Sequence, residues 1–546
     1  MNTPKTSRNR TSAIILAGSI AALLAVQSAH AATVNWDGDT STAWSDALNW
    51  DTLPTNDLTT DIANFNLATY GTPYVAPFLP NAGTTSINGL TIGASNGRMI
   101  LTTANLSIGA GGITIANGAG AFNVAGGVTL GAAQSWLNNS QKQFVVQSDG
   151  VADVLDTGVA SNVLTIGGTG NTTVGTRITG AGGLTKTGTG ILSIDGNRIS
   201  PYANSFSGQL TVENGTLAIS TINNASSDGA LGNSALAVIL GASGQTGTLQ
   251  WIQSNSFTTN KRFRMAENGT GAFDILTPPT RTLTSGAPSA STADGLILTG
   301  LLDSAGSMNG AMTKKGFGNL TLRSSVSNTF TGGLNVIGGG TLALDFVSMG
   351  TPTDVIAAAN ALTLNGGFMT IKAKTGVVTT AQTFNGVTAN AGGGSLLVDP
   401  LSAGGTTDVT LGALSFGGTG SSLVLGRANT NTGTLNITTT TDYDAQSIYG
   451  ARTVFASGAV GAGYDWATRD SSVGGGPFTL AAFGTGGNFG TYTPMTSGGA
   501  NDLANVETGT LLLVGSNTHN SLKITTGAAL DLDVNQLTLA SGGLLS

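Results

Sequence analysis

The chain has 546 residues, a formal net charge of −7, no cysteine, two histidines and only 9% charged residues. The missing cysteines exclude disulfides, cysteine nucleophiles and cysteine-ligated zinc, and sparse, scattered basic residues in an acidic chain argue against nucleic acid. Glycine, at 82 residues, is about twice its usual share and predicts many short elements broken by tight corners.

Taken in order, Met1 to Ala31 reads as a secretory signal. Lys5, Arg8 and Arg10 form a basic start, Ala13 to Val26 an apolar run, and Ala29-His30-Ala31 a small-x-small cleavage site. Cleavage after Ala31 removes three basic residues and no acidic one, taking the charge from −7 to −10 and leaving His519 as the remaining histidine. No later stretch is long and apolar enough to predict a spanning helix. Residues 32–70 carry Trp36, Trp44 and Trp50. These rings suit a cap over the open end of a stacked fold, with a carbohydrate-stacking platform as the rival reading.

Short units with apolar residues at every second position follow: Gly89–Ile92, Asn105–Ile108, Gly112–Ile115, Gly127–Leu130 and Val163–Ile166. Period two marks strands with one buried and one wet face. Residues 182–220 and 310–345 then form an internal repeat offset by 128 residues, in which Lys186 matches Lys314, Gly188 matches Gly316 and Gly190 matches Gly318. Leu192/Ile194 and Leu320/Leu322 are the expected core pairs, while Lys186 and Lys314 are expected to be solvated corner residues. A repeat of roughly 37 residues rich in glycine favours a coiled parallel ladder over hairpins.

The two segments resemble the autotransporter-associated β-strand repeat, also called the passenger-associated transport repeat, whose pattern is roughly Gly-x-Leu-Thr-Lys-x-Gly-x-Gly-x-Leu-x-Leu, then Asn-x-Tyr/Phe-Thr-Gly-Gly, then Gly-x-Leu. The resemblance implies an exported, surface-displayed β-solenoid associated with the outer membrane. The order of Trp36, Trp44, Asn49-Trp50, Pro54, Asp61, Ala63 and Phe65 is similar to the start of such proteins, which favours the cap. The fold expected for residues 71–546 is thus an all-β parallel β-helix, or β-solenoid, behind a Trp-rich N-terminal cap. At about 22 residues per rung it would hold on the order of 23 rungs.

Farther on, Asp354–Leu362 is expected to form the one short helix after the signal, with Asp354 as its N-cap. Residues 439–506 break the rhythm. They gather Tyr443, Tyr449, Tyr464 and Trp466 beside Asp442, Asp444, Asp465 and Asp470, and are expected to be an irregular module on the solenoid flank. The four rings are the candidate recognition surface for a glycan or protein; the competing reading is that they fill a local core. Regular strands resume at Thr510. The last residues read as strand, turn and the start of another strand with no cap, so the chain is expected to continue past Ser546 or be covered there by a partner.

Catalytic chemistry finds little support. His519 reads as a loop histidine with no nucleophile elbow nearby, and the pairs Asp442/Asp444 and Asp531/Asp533 lack further ligands. No catalytic, cofactor-binding or metal site is expected, and no cofactor. The expected function is that of a non-catalytic structural or adhesive protein, extracellular or on the cell surface, with surface glycans or proteins as possible partners. It should have no membrane span once the signal is removed. The alternative is a β-helical polysaccharide lyase or hydrolase.

Overall fold

The computed structural model describes residues 31–67, 80–148, 153–194, 203–276 except 254, 295–458 except 305, 307, 308, 377, 402 and 403, and 463–495 except 486 and 487. Beyond these it describes 503–507, 510–513, 516–525, 527–532 and 535–546. Residues 1–30 of the signal segment lie outside them.

Alternating side chains produce what the pattern demands. Strand after strand adds in parallel: Ala32–Asn35 pairs with Asp61–Phe65, which pairs with Asn81–Ile92, and that strand pairs with Met99–Ile115. Most strands join one large parallel sheet; a second begins at Phe257–Thr259 and forms another wall of the coil. Inward residues stack in columns. Leu192 registers with Leu217, and Leu217 with Leu249, then Phe273. Leu320 registers with Leu342, and Leu342 with Met369. Leu192, Ile194, Leu320 and Leu322 are all fully buried, as the alternation requires. Each such side chain contributes about 1.5–3 kcal/mol through removal from water.

Successive register partners are unevenly spaced around the 22 residues expected: Leu164 to Leu184 and Met312 to Leu334 are 20 and 22 residues apart, but Leu184 to Leu210, Leu334 to Leu362 and Thr270 to Ala311 are 26, 28 and 41. The described residues therefore make about 17 turns rather than 23. The difference lies in corner excursions, which glycine makes possible without disturbing the ladder.

At the N-terminal end, Trp36, Trp44, Trp50 and Phe65 pack together, with Trp36–Trp50 ring centroids 4.8 Å apart and edge to face. The Trp50 indole donates to the Trp44 carbonyl at 2.8 Å. All four rings are buried, so they form a plug and not an open stacking surface.

The helix expected over Asp354–Leu362 does not form. Val355 and Ile356 turn fully into the solenoid core, and Ile356 bridges in parallel to Asn328. Asp354 takes a left-handed φ of +52°, and its carboxylate accepts the Thr383 amide at 2.7 Å. Burial of two large side chains in the ladder overrides the helix propensity of Ala357-Ala358-Ala359. The complete helical pieces among the described residues are single 3-10 turns at Ala47–Asn49 and Phe346–Ser348. No helix among them is long and apolar enough to cross a membrane.

Candidate functional site

The repeat corners hold the first surprise. Lys186 and Lys314, expected in solvent, are buried to 2% and 0% exposure. Each continues the inward column of its own strand: Lys186 registers with Ile166 on one side and Val212 on the other. The Lys186 ammonium donates to the carbonyls of Thr187, Gly188 (2.8 Å) and Asn214 (3.3 Å), and that of Lys314 to Gly316 at 2.6 Å. Corner carbonyls that point inward, off the ladder, need donors, and a long cationic side chain supplies several from one atom. The next rung must also pass close by. A β-carbon on Gly215 would press on Lys186 Nζ, and one on Gly340 would collide with Lys314 Nζ. The motif's lysine and its later Gly-Thr-Leu glycine are thus two halves of one contact.

Lys261 makes the same arrangement outside the repeats. It is 1% exposed and donates to the Gly232 and Ser234 carbonyls at 2.9 and 3.0 Å. Sequence reasoning missed it, because no repeat motif surrounds it. Burial pulls all three ammonium groups down to about 8, with Asp274 partly opposing the fall at Lys314.

Within residues 439–506 the strand Thr453–Ala456 still adds in parallel to Leu423–Arg427, and Thr493–Pro494 to Leu503–Val506, but antiparallel pairing sets in between them. The strands Thr453–Ala456, Tyr464–Arg469 and Phe478–Ala482 pair antiparallel, and the last returns antiparallel to Thr434–Thr439. Of the four candidate rings, Tyr449 and Trp466 are buried, at 5% and 2% exposure; Tyr443 and Tyr464 are half-buried. The exposed platform of four rings is therefore not formed: Trp466 packs with Ile448, Phe483 and Leu503 in a separate small core.

What the module does assemble is two charged knots. Arg469, absent from the sequence candidates, lies between the rings of Tyr443 and Phe478, 4.1 and 4.3 Å from their centroids. Its Nε donates to Asp442 at 2.6 Å, and Nη1 donates to the carbonyls of Asp470 and Val473. The hydrogen bond from Arg469 holds the Asp442 carboxyl below its ordinary value. In the second knot Lys523 and the Tyr492 hydroxyl both donate to Asp465. Asp444 accepts from the Gln446 and Ile448 amides and shapes a turn. His519 is buried within the strand Asn517–Ile524, not in a loop. No group of three or more His, Asp and Glu among the described residues is placed to hold a metal ion.

Residues 184–219 and 312–344 each match the passenger-associated-transport-repeat family. The chain carries two passenger-associated-transport repeats. Both matched segments contain the buried lysine, its corner carbonyls and the glycine of the following rung. No curated protein and no solved structure matches the chain.

The first repeat also contributes to a depression on the described surface. The outward column Val145, Thr173, Ser193 and Ala218 runs across four parallel strands in register. It floors a trough of about 610 Å³.

Proposed function

We propose that this chain is an exported, non-catalytic β-solenoid of the autotransporter-passenger kind, displayed at the cell surface or released from it. Its work would be structural and adhesive: a long scaffold whose outward polar columns repeat one weak contact over many rungs. The observation that supports this best is the pair of passenger-associated-transport repeats set within a continuous parallel ladder. The basic and apolar start of the chain, ending in Ala29-His30-Ala31, agrees with export. Cell-surface glycans or proteins are the partners such a scaffold would meet.

The test is expression of the full chain in a bacterium with an outer membrane, followed by fractionation, protease shaving of whole cells and intact-mass measurement. The expected product is protease-accessible and begins at Ala32. Retention in the cytoplasm with residues 1–31 still attached would overturn the reading.

A further inference from the structure

We infer that the trough over Val145, Thr173, Ser193 and Ala218 is a binding groove for an extended, uncharged glycan. The inference rests on the surface-display reading only for where such a ligand would be met. Its geometry comes from register. The central floor residues, Ser193 and Ala218, are small, while Gln143 and Gln147 rise at one end and Ile252 at the other. Small side chains between larger ones make a depression of about 610 Å³.

The lining selects the ligand. Among the described residues no charged side chain lines the trough, and the nearby Asp153 carboxylate is engaged by Ser148 at 3.4 Å, so an ionic ligand would shed water without gaining a counter-charge from that lining. Amides and hydroxyls line it instead: Gln143 Nε2 donates to Thr173 Oγ1 at 2.6 Å, and Ser148, Ser193 and Ser220 stand along its length. Such groups both give and accept hydrogen bonds, which matches sugar hydroxyls that do the same. Ile252, 44% exposed, offers an apolar contact for the C–H face of a sugar ring. An extended peptide fits less well. The strands Thr172–Val174 and Ile191–Ile194 are hydrogen-bonded on both sides, so no sheet edge is open for strand addition. Floor positions recur at about the 4.8 Å strand spacing, close to the sugar-to-sugar repeat of an extended polysaccharide, so adjacent sugars can meet adjacent rungs.

The test uses the full secreted chain and calorimetric titration with neutral hexasaccharides of the gluco-, xylo-, manno-, galacto- and N-acetylglucosamine series, with oligogalacturonate as the anionic control. At least one neutral series should bind, more tightly as it lengthens, and oligogalacturonate should not. Ser193→Trp, which fills the floor from an outward position, should weaken binding by about tenfold or more. Ser193→Gln provides the same reading if the tryptophan variant misfolds. Three outcomes overturn the proposal: no neutral hexasaccharide binds at millimolar concentration, the anionic control binds equally well, or binding is unchanged in a folded Ser193 variant. A protein that reaches the surface yet binds none of these sugars removes the groove and leaves the display reading standing. Sugar binding by a chain retained in the cytoplasm would do the reverse.

Discussion

The repeat corners and the antiparallel module bury cations in opposite ways. At the corners, Lys186, Lys261 and Lys314 are surrendered to backbone carbonyls, and the lysine of one rung fixes where the glycine of the next can pass. In the module, Arg469 also meets two nearby backbone carbonyls but is held besides by side chains, two rings and a carboxylate, brought together by antiparallel returns. The first device ties neighbouring rungs along the ladder. The second closes a loop upon itself. Loss of the first should therefore spread, and loss of the second should stay local.

The largest effect tests the column on which both depend. Leu320→Asp introduces an unpaired charge between Leu296 and Leu342 and should lower stability by about 3–5 kcal/mol in denaturant melts. An unchanged midpoint would contradict the register. Next, Lys314→Met keeps the buried stem but leaves corner carbonyls without a donor, costing about 1–3 kcal/mol. Gly340→Ala should damage the same corner from the neighbouring rung, and the double variant should lose less than the sum of the two. Strict additivity would break the claim that they form one contact.

A smaller and local effect is expected for Arg469→Met. Amide exchange should accelerate in the strands Thr453–Ala456 to Phe478–Ala482, while exchange in the ladder before Thr439 stays as it was. Equal acceleration in both regions would erase the contrast between them.

How much of this could be read beforehand differs between the two regions. Period-two alternation marked Val163–Ile166 as a strand unit and placed Leu192 and Leu320 in the core, where they lie. It also contained the answer for the lysines, since Leu184 and Lys186 lie two apart and must share a face. The expectation that a charge seeks water overruled that pattern. Arg469 is a different case: its partners come from three separate stretches, and nothing local marks them. The trough was hidden for a related reason. Its floor residues are neighbours only through register, and the irregular number of residues per turn conceals register from the sequence.

The smallest predicted effect per residue is a pH dependence carried by the buried lysines. Burial sets the three lysines at about 8, against 10.5 for a free side chain. Between those values the folded chain has released protons that the unfolded chain still binds, so stability should rise with pH, by on the order of 1 kcal/mol per lysine. Above about 10 the buried phenol of Tyr449 and the half-buried phenol of Tyr492, both shifted upward, act in the other direction, because only the unfolded chain ionises them. Urea midpoints measured from about pH 7.5 to 9.5 should climb in the parent chain and level off when all three lysines are methionine. A falling parent profile would sink the assignment.

The parallel ladder also bears on force. Its hydrogen bonds point from rung to rung while the covalent chain runs around the coil, so a pull on one end loads only the outermost rung. Unravelling would proceed one turn at a time at low tension, each turn paying out a further 25 or so residues of slack. The lysine–glycine contacts cross that peeling line at Lys186/Gly215 and Lys314/Gly340. There the tension should climb before the next turn yields, making the two repeats catches on an otherwise smooth reel.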